Sequence, residues 1–233
     1  MISTSTALAS LLRTELIHQE AVTRYAPARR FASLFTEASP SDAIYFLDSG
    51  LVKIFKRGED GKEIILRVTG PGEIFGEEAL AGDDNRRLSA EILQEGVIYV
   101  IPKPVFTAFC DNHPGAWRMV AETLGARQRE LEKKVELLCL QDVEYRILFY
   151  LGELATTLGH RMDGGSEYSI PLSQSELASL IGATRETTST TLNALARRGL
   201  VRLGRRLLTV SSIESVRAAA NERTAARAAN GSA

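Results

Sequence analysis

The sequence predicts an α+β protein in which an N-terminal β-roll, a long helix and a C-terminal winged helix-turn-helix follow one another. Three observations predict this order. Short β-rich runs separated by glycine and aspartate turns fill residues 25–101, apolar residues recur every seven positions over residues 117–138, and two short helical stretches joined by a glycine occupy residues 172–203. Many short strands at close spacing indicate an all-β sandwich or barrel rather than an alternating α/β sheet.

The length and composition fit this division. The chain has 233 residues, of which 44% are hydrophobic, so cores of ordinary size can form. The predicted divisions are residues 1–113 for the β-roll, 114–140 for the long helix and 141–233 for the winged helix-turn-helix. No apolar run approaches the roughly 18 residues of a membrane span and no signal segment opens the chain, so we expect a cytoplasmic protein without membrane partners.

Cysteine and histidine are too sparse to form a catalytic or metal site. Cys110 and Cys139 are far apart in the chain, and the three histidines stand in separate regions. A cupin-type β-barrel enzyme needs histidine and carboxylate ligands on neighbouring strands, whereas residues 25–101 contain no histidine. We therefore expect neither an enzyme nor a metal-binding protein.

The N-terminal part is predicted from alternating strands and turns. A weak amphipathic helix is expected within residues 1–20, and its apolar face carries Leu8, Leu11, Leu12 and Leu16. Strands are expected at residues 43–47, 51–57, 63–68, 73–75, 89–93 and 97–101. Turns are expected between them because glycine and aspartate recur at residues 48–50, 58–61, 70–72 and 81–85.

A long helix is predicted from Pro114 to about Leu140, and its apolar stripe is narrow. A helix packed on its own barrel needs a wider apolar face, whereas a narrow stripe between charged flanks is typical of a two-stranded parallel coiled coil. We therefore expect a homodimer in which Gln128 sets the register at some cost in stability. The predicted seam consists of Trp117, Leu124, Gln128, Leu131, Val135 and Leu138.

The helical pattern breaks at Gln141 and Asp142, and Asp142 is suited to cap the next helix, residues 143–158. Residues 138–143 are therefore predicted to be an interdomain hinge. A glycine-rich loop at residues 159–170 then leads through a short strand into the next two helices.

The two helices of residues 172–203 carry the signals of a helix-turn-helix. Ser173 and Glu176 form a capping box that opens the first helix, and Gly182 ends it. Thr184 is suited to cap the second helix, whose outward face carries Arg185, Glu186, Ser189 and Thr190. In this motif the first turn of the second helix enters the major groove, where arginine binds guanine O6 and N7 and glutamate accepts from cytosine N4.

The charge distribution favours contact with DNA over simple packing of a helical hairpin. Residues 1–113 hold 12 lysines and arginines against 16 acidic residues, whereas residues 147–233 hold 10 against 7. The segment from Arg185 to Arg206, both included, holds six arginines and one acidic residue. This concentration of positive charge attracts the phosphate backbone of DNA. Two short strands around Gly204 are expected to form a wing that places Arg205 and Arg206 beside the duplex.

In the order of its parts, the chain resembles the cyclic-AMP receptor protein and fumarate-nitrate regulator (CRP/FNR) superfamily of bacterial transcription regulators over about residues 22–212. The segment PGEIFGEEAL at residues 71–80 is similar to the phosphate cassette of a cyclic-nucleotide-binding jelly roll, and GATRETTSTTL at residues 182–192 is similar to the family recognition helix. The resemblance implies a homodimer that binds double-stranded DNA at a palindromic promoter site and contacts RNA polymerase.

The resemblance assigns roles to the recognition helix. Thr184 matches a phosphate-contacting position, and Arg185 and Glu186 match base-reading positions. Thr190 stands where many relatives have arginine, which leaves Ser189 as the substitute contact. The DNA-binding candidates are therefore Ser173, Thr184, Arg185, Glu186, Ser189, Thr190, Arg205 and Arg206.

The resemblance also implies an effector site. Gly76 and Glu77 match the residues that meet the ribose and phosphate of a cyclic nucleotide, and Arg86 or Arg87 is the candidate phosphate-binding arginine. A cyclic phosphate is bound by backbone N–H groups near a glycine together with an arginine side chain. The candidate effector is accordingly a cyclic nucleotide or another small ligand.

Adenine recognition is the weak part of this match. Leu131 and Glu132 stand where the cyclic-AMP receptor has two hydroxyl side chains that bind adenine, so cyclic AMP is disfavoured. The cysteines that hold an iron–sulfur cluster in other members are missing and no histidine and cysteine arrangement suggests haem, so neither cofactor is expected.

The leading hypothesis is a dimeric, sequence-specific transcription regulator. The alternative is a cyclic-nucleotide-sensing module whose C-terminal domain contacts protein rather than DNA. The arginines between Arg185 and Arg206 favour the first hypothesis, and a salt-dependent gel shift distinguishes the two.

Overall fold

The computed structural model describes residues 6–162 and 165–230, and the chain divides into two compact units. The first unit extends to Leu131 and the second begins at Glu132. This division falls within the long helix, so the two units share that helix. The predicted domain limits at residues 113 and 140 stay predictions.

The first unit is built around an antiparallel sheet. Its strands in chain order are β1 Thr23–Ala28, β2 Ser33–Phe35, β3 Ala43–Arg57, β4 Glu63–Thr69, β5 Glu73–Phe75 and β6 Ser89–Pro102. The sheet order is β1-β6-β3-β4, with β2 paired to β6 and β5 paired to β3. Side chains such as Val52, Phe75 and Ile92 pack into a buried core. This arrangement confirms the predicted β-roll.

The predicted turn at residues 48–50 is wrong, and the predicted strands 89–93 and 97–101 are also one continuous strand. The predicted strands join in pairs, 43–47 with 51–57 in β3 and 89–93 with 97–101 in β6. Gly50 has a φ of 92°, and a Cβ on Gly96 would lie 1.9 Å from the carbonyl oxygen of Ser49. The register of β3 against β6 shifts at this point, which identifies a β-bulge that only glycines permit.

The sequence does not predict β1 or β2. β1 contains Pro27 and exposes most of its side chains, so it lacks an alternating apolar pattern. It lies at one end of the sheet order, where proline is tolerated because one strand edge needs no partner. β2 has only three residues, which is too short for a pattern.

The first unit also contains helices, which pack in a second buried cluster. Of the predicted N-terminal helix, α1 Thr6–Glu15 is described, and residues 1–5 lie outside the described part. Leu8 and Leu12 of α1 pack with Phe106 of α2 Lys103–Asn112 in this cluster. A short 3-10 helix, Glu77–Ala81, follows β5. α3 Ala116–Leu140 confirms the predicted long helix.

The second unit is a winged helix-turn-helix, as predicted. Its elements after α3 are α4 Val143–Thr157, β7 His160–Arg161, β8 Tyr168–Ile170, α5 Gln174–Ile181, α6 Arg185–Arg197, β9 Val201–Gly204, β10 Leu207–Val210 and α7 Ile213–Asn230. The sheet order is β7-β8-β10-β9. Asp142 accepts a hydrogen bond from the backbone N–H of Tyr145 at 2.9 Å, which confirms the cap that separates α3 from α4. Among the helices of the described residues, none is long and apolar enough to cross a membrane.

Candidate DNA interface and effector site

The capping box of α5 is present as predicted. The Ser173 hydroxyl accepts from the backbone N–H of Glu176 at 3.1 Å, and the Glu176 carboxylate accepts from the backbone N–H of Ser173 at 2.6 Å. Gly182 ends the helix with a φ of 63°, and a Cβ on it would lie 2.7 Å from Cδ2 of Leu138. The turn between α5 and α6 therefore favours glycine because of its left-handed backbone conformation, and a Cβ there would also displace the end of the Leu138 side chain.

Local hydrogen bonds determine where α6 begins. The Thr184 hydroxyl accepts from the backbone N–H of Thr187 at 3.1 Å, which places Arg185 in the first helical turn. Leu192 and Leu195 are buried, so the opposite face of α6 points outward. Ser173 and Thr184 thus cap the helices α5 and α6, in addition to any contact with phosphate.

The first turn of α6 presents Arg185 and Glu186 to solvent. Neither side chain forms an ion pair or hydrogen bond with another of the described residues, although both are charged. Farther along the helix, Thr190 is exposed and Ser189 is half-buried. The structure therefore brings the four predicted side chains onto one helix, with Arg185 and Glu186 most available to a ligand.

Two further polar residues on α6 extend this surface. Asn193 and Arg197 line a shallow cavity of about 540 Å³ together with Thr190 and Ala196. Neither Asn193 nor Arg197 was among the DNA-binding candidates from the sequence. Their spacing from Thr190, three and seven residues, is the helical spacing that could have identified them.

The predicted arginine field is smaller than the sequence suggests. Arg202 forms two hydrogen bonds with the carboxylate of Glu167, at 2.8 and 2.7 Å, and Arg198 pairs with Glu144 at 2.7 Å. These two arginines are already neutralised within the second unit. Arg205 and Arg206 form the exposed turn between β9 and β10, as predicted for a wing.

Arg86 and Arg87 differ sharply in environment. The guanidinium of Arg86 is buried and donates to the carbonyl oxygens of Gly76, at 2.8 Å, and Ala43, and to the Glu78 carboxylate at 3.0 Å. Arg87 is exposed and pairs with Asp83 at 3.0 Å. Of the two alternatives from the sequence, only Arg86 lies beside Gly76.

A buried group of charges surrounds Glu77. Its carboxylate pairs with Arg67 of β4 at 3.4 Å and with Arg127 of α3. Burial alone would raise the pKa of Glu77, but the two guanidinium groups lower it to about 2. Arg127 also donates to the carbonyl oxygen of Ile74, so it ties α3 to β5. Glu77 was a candidate from the sequence, whereas neither arginine was.

Glu73 lies near the same two arginines and behaves differently. Burial raises its pKa to about 7, although Arg67 and Arg127 oppose the increase, and it accepts a hydrogen bond from the backbone N–H of Gly70 at 3.4 Å. Among the described residues, Glu73 forms no direct ion pair of the kind that Glu77 makes. The two carboxyl groups therefore differ in protonation near neutral pH, where Glu77 is ionised and Glu73 is partly protonated.

The remaining candidates lie along α3. Leu124 and Leu131 are 41% and 52% exposed, and Trp117, Gln128, Glu132 and Val135 are also exposed. Leu138 is half-buried and lies against Gly182. The predicted seam is thus a stripe of large apolar side chains open to solvent, except at its C-terminal end.

Comparisons with known proteins agree with this architecture. The cyclic nucleotide-binding domain matches residues 28–113, and the Crp-like helix-turn-helix domain matches residues 145–219. A "CRP-like cAMP-activated global transcriptional regulator" of Mycobacterium tuberculosis is 30% identical over 78% of this chain and 81% of its own length. The "Cyclic AMP receptor protein" of Thermus thermophilus is 32% identical over 73% of this chain and 76% of its own.

A solved structure of a CRP-family transcriptional regulator from Thermus thermophilus has the same fold, with a TM-score of 0.73 and 28% identity, and the match covers 85% of this chain and 96% of that one. The fold and the exposed helix α6 define a transcription regulator with a DNA-binding helix-turn-helix rather than an enzyme. The chain belongs to the CRP/FNR family of transcription regulators.

Proposed function

We propose that the protein is a homodimeric, sequence-specific regulator that recognises a palindromic promoter site through α6. The observation that carries this proposal is the first turn of α6, where Arg185 and Glu186 are exposed and have no partner among the described residues. Arginine and glutamate at this position supply a donor for guanine and an acceptor for cytosine. A surface that contacted protein would gain little from a charged pair without apolar neighbours.

The stripe on α3 supports the homodimer. Its apolar side chains recur every seven residues, and Leu124 and Leu131 are largely exposed. Exposed apolar stripes of this kind mark an interface, and heptad spacing matches a second copy of the same helix. Two copies present two recognition helices, which explains why the DNA site would be a palindrome.

Cyclic AMP is not the switch in this proposal, although relatives carry that ligand in their names. The guanidinium of Arg86 already donates to Gly76, Ala43 and Glu78, so a phosphate would have to displace internal partners. On the adenine side, Leu131 and Glu132 offer no hydroxyl group. The regulator therefore binds DNA without cyclic AMP or responds to another small ligand.

The remaining partners follow from the family. A dimer on promoter DNA lies beside RNA polymerase, so contact with the polymerase in the cytoplasm is part of the proposal. No haem or iron–sulfur cluster belongs to it, because the two cysteines stand far apart in the chain and the three histidines lie in separate regions.

The test is selection from a randomised duplex pool with the purified full chain, followed by gel-shift titration at several salt concentrations. We expect enrichment of a palindrome whose half-sites lie about 10 base pairs apart and a steep fall of affinity with salt. A single enriched half-site contradicts the dimer. A pool without any enriched motif supports the alternative, in which the C-terminal domain contacts protein.

A further inference from the structure

The C-terminal end of α5 receives two cationic side chains from two other helices. Lys134 of α3 donates from Nζ to the carbonyl oxygen of Leu180 at 2.5 Å, and Arg146 of α4 donates from Nη1 to the carbonyl oxygen of Ile181 at 2.7 Å. The last carbonyls of a helix lack intrahelical partners, and the helix dipole favours positive charge there. The first helix of the DNA-binding motif is therefore held at one end by α3 and α4 together.

Lys134 is an unusual residue for this position. It is 3% exposed, and its ammonium lies 5.3 Å from the centre of the Tyr150 ring. Burial and the nearby Arg146 lower its pKa to about 8. A buried ammonium that donates to a carbonyl and lies against an aromatic ring is costly compared with an apolar side chain of the same size. Stability alone does not account for a lysine here.

Close packing at the turn reinforces these two hydrogen bonds. Leu138, one turn beyond Lys134 on α3, approaches Gly182 so closely that a Cβ on the glycine would lie 2.7 Å from its Cδ2. The last turns of α3, from Glu132 onward, belong to the same compact unit as α5 and α6. The end of the long helix and the turn before α6 therefore pack directly against each other.

We propose that Lys134 and Arg146 are positioning residues that fix the direction of α6 relative to the C-terminal turns of α3. This inference rests on the proposed function, because a fixed direction matters only if two copies joined through α3 must reach two half-sites at once. Each hydrogen bond uses a carbonyl at the end of α5, so a small rotation of the helix-turn-helix breaks both. The pair thus sets the separation and angle of the two recognition helices in the dimer.

A purely stabilising cap and a positioning pair make different predictions. Loss of a cap lowers the melting temperature but leaves the dimer's preference among DNA sites unchanged. Loss of a positioning pair allows the two recognition helices to vary in separation, so the dimer becomes less selective for the spacing between half-sites. Spacing preference is therefore the readout that a structural role would not change.

The experiment compares wild-type protein with Lys134→Met and Arg146→Met on palindromes whose half-site spacing is varied by one and two base pairs in each direction. Lys133→Met is the matched control, since it removes the same charge from the neighbouring position, where Lys133 pairs with Glu136 on the same helix at 2.8 Å. We expect the Lys134 and Arg146 variants to lose about tenfold in DNA affinity at the best spacing. The reason is that two recognition helices whose separation is no longer fixed bind the two half-sites together less effectively. At the other spacings these variants should lose less DNA affinity, so their affinity should depend less on half-site spacing than that of the wild-type protein.

The outcomes separate the two proposals. A wild-type protein that binds no palindrome, or that is indifferent to spacing, contradicts the proposed function itself. A wild-type protein with a sharp spacing preference that both variants retain, as Lys133→Met does, overturns the positioning role. Arg146 is only half-buried, so Arg146→Met decides the question if Lys134→Met does not fold.

Discussion

Glu77 of the 3-10 helix and Arg127 of α3 form a largely buried ion pair, and Arg67 of β4 contacts the same carboxylate oxygen of Glu77. β4, the 3-10 helix and the distant helix α3 thus meet at the segment that resembles a phosphate cassette. The carboxylate that matches a ribose-contacting residue is neutralised by the protein's own arginines. The consequences for stability and for ligand binding can be measured separately.

Replacement of Glu77 by glutamine should destabilise the first unit strongly. The change leaves Arg67 and Arg127 buried without their counter-charge, which typically costs roughly 3–5 kcal/mol. Urea unfolding at pH 7, followed by circular dichroism, measures the loss, and Glu59→Gln in the exposed β3–β4 turn is the control. An unfolding free energy equal to that of the control would show that the arginines are satisfied in another way.

The same substitution should alter acid unfolding. Glu77 has a pKa of about 2 in the folded protein against an ordinary 4.5, so its contribution to stability is present above pH 4.5 and is lost as the pH falls towards 2. The wild-type protein should therefore lose stability more steeply than Glu77→Gln over that range. Unfolding free energies measured at several pH values between 5 and 2.5 provide the comparison.

Glu73→Gln should have the opposite effect on stability, and only at higher pH. The pKa of Glu73 is raised to about 7, so the folded protein keeps a proton between pH 4.5 and 7 that the unfolded chain has released. Wild-type stability therefore falls as the pH rises through this range and stays lower above it. Glutamine removes this penalty, on the order of 3 kcal/mol at pH 8, and should change little at pH 4.5. Equal stability of both proteins at pH 8 would contradict a buried, partly protonated Glu73.

Local signals allowed the second unit to be predicted more completely than the first. Ser173, Gly182 and Thr184 each act within three or four residues of their own position, and their capping roles can be recognised from the sequence without knowledge of the fold. The apolar spacing of α6 is equally local. The candidate DNA-reading residues could therefore be selected from the sequence.

Tertiary contacts explain what the sequence did not predict. Glycine is expected both in a turn and in a β-bulge, so Gly50 and Gly96 do not distinguish these structures in the sequence. Only the pairing of β3 with β6 identifies the bulge. The role of Arg127 is similar, because a single arginine on a long helix is ordinary until β4 and the 3-10 helix bring Arg67 and Glu77 beside it. The internal pairing of Arg202 with Glu167 was missed for the same reason.

Arg185→Ala should weaken binding to the specific site by roughly 1–3 kcal/mol and relax preference at one G·C pair. The half-site is expected to be of the TGTGA kind rather than the TTGAT kind, because arginine is followed by glutamate. Fluorescence anisotropy on the selected site and its single-base variants measures both effects. Arg202→Ala is the matched control, since Arg202 is already paired with Glu167 and should contribute less. An equal loss on every sequence would show that Arg185 contacts phosphate only.

Leu124→Glu should convert the proposed dimer into a monomer and remove most of the DNA affinity. Two like charges would meet at a symmetric apolar contact, and a palindrome needs both recognition helices. Sedimentation velocity measures the oligomeric state. Arg129→Glu on the same helix lies outside the heptad stripe and should leave a dimer. A dimer that persists in Leu124→Glu would remove the coiled-coil argument.

Cyclic AMP should neither bind tightly nor change DNA affinity. The Nη1 and Nη2 nitrogens of Arg86 already donate to Gly76, Ala43 and Glu78, whereas its buried Nε has no hydrogen-bond partner among the described residues. The positions that face adenine in the cyclic-AMP receptor hold Leu131 and Glu132. Each buried polar group on the adenine that lacks a partner costs about 1–3 kcal/mol.

Calorimetric titration with cyclic AMP and with cyclic GMP is the direct measurement, combined with anisotropy on the selected DNA site in the presence and absence of each nucleotide. The double variant Leu131→Thr and Glu132→Ser restores two hydroxyl groups and should bind cyclic AMP about tenfold or more tightly than the wild-type chain, because one recovered hydrogen bond contributes about 1.4 kcal/mol. A low-micromolar dissociation constant for cyclic AMP in the wild-type protein, together with DNA binding that depends on it, would overturn this interpretation. Binding without an effect on DNA would instead mean that the nucleotide is held but does not act as the switch.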